Sequence, residues 1–232
     1  MKRSHNIGTY LSSRETVAGF LYLAFQMLFL PPMLLWCNNQ LAQPVSSTEL
    51  NFVFYLVNFM AMLLIFHDYL GRSASQVAQH PIYVGEGVIL GFVGYYVMKQ
   101  LTTWVMQQFF PGFSNYNDEA IAAMIRGNYF LMFVGTVILV PPFEECMFRG
   151  LIFRNLYKTS KWAAYTVSIL AFAIIHIIGY LGKYSAWELL LAVAQYLPAG
   201  LCLAWSYARS DTIFAPILIH AAINFISIRQ LR

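Results

Sequence analysis

Long apolar stretches recur along almost the whole chain of 232 residues. A helix needs about 20 mostly apolar residues to cross a bilayer, and approximately this length is available in the windows 17–36, 51–70, 82–106, 128–148, 162–181, 187–208 and 212–228. Only 10% of the residues are charged, against roughly 25% in ordinary soluble domains. The sequence therefore predicts an all-α fold, a polytopic transmembrane helical bundle of about seven to eight spans.

The lysine and arginine residues indicate an orientation in the membrane, because short basic loops stay in the cytoplasm. When seven spans are threaded, one side receives most of the basic residues, namely Lys2, Arg3, Arg14, Arg72, Arg154, Lys158, Lys161 and Arg209. We therefore expect an integral, multi-pass membrane protein with a cytoplasmic amino terminus, and the compact chain favours a bacterial plasma membrane. The net charge of +4 follows from the same rule, so we infer no nucleic-acid partner.

Polar residues inside the predicted spans are concentrated in the carboxy-terminal half. In the first three spans the ionisable groups lie near span ends, where long side chains reach the interface. We predict amino-terminal spans without a recognised motif over residues 1–127 and a catalytic helical core, made of the last four spans, over residues 128–232, in a single membrane domain. The deep polar residues of that core are Glu144, Glu145, His176, His220 and Asn224.

The stretch PPFEECMFRG, which begins at Pro141, carries two acids and a base inside an apolar window. Pro141 and Pro142 must kink the span or begin a new helical segment. Glu145 and Arg149 are four residues apart with the acid first, which favours an ion pair, whereas Glu144 points about 100° away. One carboxylate is thus neutralised and the other left available. The alternative is a helix end whose charges lie among the headgroups.

The histidines occur in two further spans. A lone histidine such as His176 is more often packed than catalytic, although ionisable residues inside a membrane are functional candidates by default. His220 and Asn224 share one helix face and could simply bridge helices. Taken together, however, three spans supply Glu, His, and His with Asn, the residue types that activate water and stabilise an oxyanion. Packing alone requires no such combination.

Three motifs occur in a fixed order: E-E-x-x-x-R at Glu144–Arg149, F-x-x-x-H at Phe172–His176 and H-x-x-x-N at His220–Asn224. Together they resemble the CPBP family, the Abi or CAAX-protease-like intramembrane endopeptidases, over about residues 128–228. The resemblance implies a glutamate-dependent protease with a membrane-embedded cavity open to the cytoplasmic side. Its implied partners are the lipid bilayer and a membrane-associated peptide or a lipidated, for example prenylated, protein substrate.

The same resemblance implies a role for each motif residue. Glu144 is expected to be the general base that activates water, assisted by His176. His220 and Asn224 are expected to bind the oxyanion of the scissile carbonyl. The supporting residues are then Glu145, Arg149 and Phe172.

A zinc protease is an alternative that uses the same residues. Catalytic zinc takes three protein ligands, which Glu144, His176 and His220 could in principle supply. The sequence has no H-E-x-x-H motif, and His220 together with Asn224 suits oxyanion donation better, so a mechanism without a cofactor is favoured. A non-catalytic membrane-protein maturation or bacteriocin-immunity factor is a further alternative. A transporter is disfavoured, because we find none of the inverted repeats that transporters often carry.

Overall fold

The structure, a computed structural model, describes residues 8–232, and these residues form helices and no β-strand. The predicted all-α fold is confirmed. Lys2 and Arg3, which contribute to the predicted orientation, lie outside the described residues. The helices are α1 (Ser13–Leu28), α2 (Leu30–Asn39), α3 (Ser47–Gln79), α4 (Pro81–Phe109), α5 (Tyr116–Gly127), α6 (Tyr129–Tyr157), α7 (Lys161–Ile175), α8 (Ala186–Ser210) and α9 (Phe214–Gln230).

Four of these helices, α3, α4, α6 and α8, are long and apolar enough to cross a membrane. The window 17–36 falls on α1 and α2, which meet at a bend of 47° and form a fifth candidate span if they act together. Pro31 explains a break there, because a proline is tolerated in the first turn of a new helix but not inside one. The last two short helices, α7 and α9, have 15 and 17 residues. The number of seven to eight spans therefore stays a prediction.

The helix starts follow from local sequence. The helices α1, α3 and α8 each begin with a capping box, in which a serine and the glutamate three residues later bond to each other's backbone N–H groups. The helix α8 ends at Ser210 and is capped by Asp211, which has a left-handed backbone with φ 54°. The Asp211 carboxylate accepts hydrogen bonds from Gly8 N at 2.6 Å and from Thr9 Oγ1 at 2.7 Å. These bonds tie the start of the described chain to the corner between α8 and α9.

The bundle has two distinct ends. The end that holds Thr9 and Asp211, called here the amino-terminal end, also carries the ion pair between Arg72 and Glu15. The opposite end carries the short helix α5, and we call it the α5 end. There, Tyr116 donates a hydrogen bond of 2.6 Å to Glu188 at the start of α8. Each functional residue can thus be located relative to these two ends.

The helix α6 contains the stretch PPFEECMFRG and is not a regular α-helix. Two π-helical segments, Val134–Leu139 and Cys146–Phe153, flank the α-helical segment Val140–Glu145. Pro141 and Pro142 lie in the first turn of that segment, where their missing N–H groups are tolerated. Val140 N bonds instead to the carbonyl five residues earlier. The prolines were expected either to kink the span or to begin a new helical segment. In the structure they begin a new α-helical segment, and α6 continues through it.

Candidate functional site

Arg149 lies in the interior of the bundle with a side chain that is 0% exposed. Its Nη1 donates to Glu145 Oε1 at 2.9 Å, and its Nη2 donates to the carbonyl oxygen of Gly200 at 3.1 Å. The guanidinium carbon also lies 4.6 Å from the centre of the Phe172 ring, a cation–π arrangement. The ion pair expected from the spacing is therefore present and fully enclosed by protein. A location among lipid headgroups does not fit this burial.

Glu145 has a second partner that sequence spacing does not reveal. His220 Nδ1 lies 2.8 Å from the same oxygen, Oε1, although the two residues are 75 positions apart. An ionised carboxylate only accepts hydrogen bonds, so Nδ1 carries the proton in this contact. The other ring nitrogen, Nε2, lies 3.9 Å from Glu144 Oε2. Glu145 thus binds both Arg149 and His220.

Glu144 differs from its neighbour in being partly exposed. The Oε2 atoms of Glu144 and Glu145 are both buried and have no hydrogen-bond partner among the described residues. The side chain of Glu144 is 18% exposed, whereas that of Glu145 is 0% exposed. Since buried charged oxygens are normally satisfied, the unpaired oxygen of the partly exposed Glu144 marks a position where a water molecule or a substrate group can bind.

His176 lies at the end of α7, although the apolar window places it near the middle of a span. The helix stops at Ile175, and His176 Nδ1 contacts the carbonyl oxygen of Phe172 at 2.7 Å. A side chain that forms a hydrogen bond with the carbonyl oxygen four residues earlier competes with the backbone N–H groups that would continue the helix. Because the carbonyl is an acceptor, Nδ1 is the donor, and the Nε2 lone pair of the neutral ring stays available. The backbone continues as a short 3₁₀ turn, Ile178–Tyr180.

Asn224 is fixed by the irregular part of α6. Its Nδ2 donates a hydrogen bond of 2.7 Å to the carbonyl oxygen of Thr136, inside the first π-helical segment. Thr136 in turn donates its hydroxyl to the carbonyl oxygen of Met132 at 2.7 Å. An amide group has two N–H bonds, so one of them stays free for another acceptor.

A single cavity of about 810 Å³ joins the predicted residues. Its wall includes all four predicted catalytic residues and Phe172, whereas Glu145 and Arg149 do not reach it. Sequence reasoning missed the contribution of the amino-terminal helices, which add polar side chains to the same wall. These are Gln26, Asn51, Tyr55 and Asn58. The last three recur at positions i, i+4 and i+7 of α3, a one-face spacing that the sequence does contain.

The cavity extends towards the α5 end of the bundle. Asn117, Asp118, Lys183 and Gln195 line it there, and its described wall includes no residue of the amino-terminal end. Burial raises the pKa of Asp118, and the nearby positive charge of Lys99 opposes that rise. The two expectations from sequence, a cytoplasmic amino terminus and a cavity open to the cytoplasm, therefore place the cytoplasm at opposite ends of the bundle, and only one of them can hold.

The predicted alternative ligands do not form a zinc site as they stand. Among residues 8–232, no group of three or more His, Cys, Asp or Glu side chains is arranged to hold a metal ion. Nδ1 of His176 contacts Phe172 and Nδ1 of His220 contacts Glu145, so Nε2 is the nitrogen of each ring that a metal could bind.

The apolar bundle and its enclosed Glu, His and Asn side chains define an integral membrane protein with the residue types of a hydrolase. Residues 126–226 match the family model described as "Type II CAAX prenyl endopeptidase Rce1-like". The resemblance to the CPBP family that the three motifs predict is confirmed by this match. The match covers most of residues 128–232, while the division of the chain at residue 127 stays a prediction.

Two curated bacterial proteins are similar to this chain. The "UPF0177 protein YbdI" of Lactococcus lactis subsp. lactis (strain IL1403) is 26% identical over 144 residues, which cover 59% of this chain and 71% of that protein. The "Putative membrane peptidase YdiL" of Bacillus subtilis (strain 168) is 24% identical over 225 residues, 93% of this chain and 87% of that protein. No solved structure matches the chain. Fold, motifs and family match together support a membrane protease.

Proposed function

We propose that the protein is an intramembrane endopeptidase that hydrolyses peptide bonds of membrane-associated or lipidated substrates with a glutamate-activated water molecule. One observation carries the proposal: Glu144 lines the cavity with an unpaired oxygen, whereas Glu145 is 0% exposed, does not line the cavity and binds Arg149 and His220 through Oε1. Adjacent carboxylates in such different surroundings are suited to different roles.

The proposed reaction begins with a water molecule between Glu144 and the scissile carbonyl carbon. Glu144 accepts a proton from that water while the water oxygen attacks the carbonyl carbon, and the carbonyl oxygen becomes an oxyanion. When the C–N bond breaks, the proton passes from Glu144 to the departing amine. His176 assists by accepting a hydrogen bond from the water at Nε2, which is the nitrogen that its contact with Phe172 leaves free.

The oxyanion is assigned to His220 and Asn224. Asn224 has one N–H bond left after its contact with Thr136. His220 already directs its Nδ1 proton to Glu145, so a donor at Nε2 requires a second proton on the ring. The Glu145 carboxylate stabilises such an imidazolium, much as an aspartate does in a serine protease triad. Glu145 therefore acts as a positioning residue for His220 in this mechanism.

The proposed orientation keeps the amino terminus in the cytoplasm. Among the described residues, the amino-terminal end has slightly more basic side chains than the α5 end, and one of them is the exposed Lys158 beside Tyr10. The more basic side of a membrane protein usually faces the cytoplasm. The cavity is then reached from the opposite side of the membrane. In that orientation, exported or membrane-anchored peptides are favoured as substrates over lipidated proteins of the cytoplasm.

The test is cleavage of fluorogenic peptides on a membrane anchor, with and without a prenyl group, by purified protein in lipid. Glu144→Gln and His176→Ala are expected to abolish or strongly reduce kcat at an unchanged melting temperature. Glu145→Gln is the matched neighbour and is expected to lose stability together with activity. Undiminished cleavage by both Glu144→Gln and His176→Ala would show that the proposed base is wrong.

Chelators separate the remaining readings. We expect cleavage to be unchanged by 1,10-phenanthroline, because the mechanism uses no metal. Activity that is lost on chelation and restored by zinc would establish the zinc protease instead. Absence of cleavage across the peptide panel, with the folded protein intact, would favour the non-catalytic maturation or immunity factor.

A further inference from the structure

Tyr196 on α8 stacks on the ring of His176. The two ring centroids lie 4.3 Å apart at an interplanar angle of 23°. The other neighbouring ring, Phe172, is tilted by 56° at 4.8 Å and belongs to the same chain segment as the histidine. A near-parallel ring from a different helix restricts rotation of the imidazole about its Cβ–Cγ bond, and none of the three motifs includes this residue.

The hydroxyl of Tyr196 is held on its other side by two asparagines. Asn117 Nδ2 donates to the hydroxyl at 3.1 Å, and the hydroxyl donates to Asn115 Oδ1 at 3.3 Å. Asn115 is buried, caps the start of α5, and donates through Nδ2 to Gln195 Oε1 at 2.7 Å. The tyrosine is therefore fixed both at its ring and at its hydroxyl.

These contacts determine the direction of the catalytic lone pair. The bond from His176 Nδ1 to the Phe172 carbonyl sets which nitrogen carries the proton, and the stacked ring of Tyr196 sets the plane in which Nε2 points. Both His176 and Tyr196 line the cavity that contains Glu144. A partner of a functional histidine that fixes its orientation influences activity without touching the reacting atoms.

We propose that Tyr196 is a positioning residue for His176, held in place from the α5 end by Asn115 and Asn117. Its kinetic consequence rests on the proposed protease function, whereas the contact itself does not. The polar segment before and at the start of α5 thereby becomes part of the support of the active site, although it contains no motif residue.

Kinetics of two substitutions test the ring and the hydroxyl separately. Tyr196→Leu removes the stacked ring, and kcat is expected to fall about 10- to 100-fold, since small displacements of a catalytic group have effects of that order. Tyr196→Phe keeps the stack and loses the hydroxyl bonds, for which we expect a fall of about 2- to 10-fold. KM is expected to stay constant in both. A rise in KM at constant kcat would overturn the proposal, because Tyr196 would then contact substrate.

A double-mutant comparison tests the link to α5. Asn117→Ala and Tyr196→Phe remove the same hydrogen bond, so the double variant is expected to have the kcat of the more impaired single variant. Residues that share one interaction show such non-additivity. Fully multiplicative effects would mean that the two residues act independently, and the assigned link would be wrong.

Chemical modification provides a readout that needs no substrate. Diethyl pyrocarbonate modifies the unprotonated imidazole nitrogen, and mass spectrometry can follow the rate at His176 with His220 as an internal reference. Removal of the stacked ring in Tyr196→Leu is expected to raise the rate at which diethyl pyrocarbonate modifies His176 several-fold. The control is Tyr165→Leu, which removes an aromatic ring that packs on Phe153 at 5.0 Å, away from the cavity.

The two hypotheses fail in different ways. A raised His176 rate in a protein that cleaves no peptide would support the positioning role and contradict the protease. An unchanged His176 rate in Tyr196→Leu, with kcat per folded molecule equal to that of Tyr165→Leu, would leave Tyr196 a packing residue and overturn the inference.

Discussion

Replacement of Arg149 by methionine tests the energetic role of the buried pair. The substitution keeps an unbranched side chain of similar length but removes the bonds to Glu145 and Gly200 and the cation–π contact with Phe172. The Glu145 carboxylate then stays 0% exposed without its arginine. The result is a buried charge with one partner fewer, which is the most expensive way to disrupt an ion pair.

The magnitude can be estimated from those contacts. Removing one partner of a buried pair destabilises proteins by about 3–5 kcal/mol. We expect the lower end, about 3 kcal/mol, because Glu145 keeps the contact with His220 at 2.8 Å. For a chain of this size, each kcal/mol corresponds to about 2–4 °C, so the melting temperature should fall by about 6–12 °C.

The assay is thermal unfolding in one detergent, followed by tryptophan fluorescence. The control is Arg209→Met, which disrupts a pair with Glu86 whose side chains are 30% and 39% exposed and should change stability by less than about 1 kcal/mol. Adding Glu145→Gln to Arg149→Met should recover part of the loss, since it removes the unpaired charge. If Arg149→Met melts no lower than Arg209→Met, the buried pair does not stabilise the fold, and activity loss at unchanged stability would place it in the chemistry.

Three further predictions use other parts of the structure. Gly135→Ala should destabilise the fold by about 1–3 kcal/mol through overpacking and so lower the melting temperature, since the added carbon would lie 2.6 Å from a tyrosine ring. The control is Gly94→Ala, whose added carbon would lie 3.6 Å from its nearest atom. Asp118→Asn should raise the melting temperature at pH 7, because burial raises the pKa of the Asp118 carboxyl in the folded protein. The stability that the protonated carboxyl contributes is fully present below about pH 3.9 and is lost as the pH rises through the raised pKa. An equal gain from the substitution at pH 3 would contradict this. Impermeant maleimide on intact cells, in a cysteine-free background, should label Lys183→Cys and not Lys158→Cys, and the reverse result would place the cavity towards the cytoplasm.

The sequence was sufficient where interactions are local. Helical spacing predicts the pair of Glu145 and Arg149 because both residues belong to one helix, and the structure contains that contact at 2.9 Å. The contact of Glu145 with His220 could not be predicted in this way, because it depends on how α6 and α9 pack. The stacking of Tyr196 on His176 is equally non-local. Motifs identify residues that share a site, but packing decides which atoms meet.

Apolar windows were also a poor guide to where helices end. Hydropathy measures the composition of a stretch and not the continuity of its backbone. The window 162–181 therefore extends past the end of α7 at Ile175, where a ring nitrogen takes the carbonyl of Phe172. The window 17–36 likewise spans the bend between α1 and α2. Both deviations lie next to the cavity, since Pro31 and His176 line it, which is where local rules are most often broken for function.

The geometry of adjacent helical residues explains how two neighbouring acids can serve different purposes. Successive side chains on a helix point about 100° apart, so Glu145 can be enclosed while Glu144 reaches the cavity. A single acid could not do both, because the carboxylate that binds Arg149 and His220 is 0% exposed and does not line the cavity. If Glu145 were the base instead, water would have to reach its Oε2, which is unpaired but enclosed by protein. The assignment of the base to Glu144 thus follows from which of the two carboxylates reaches the cavity.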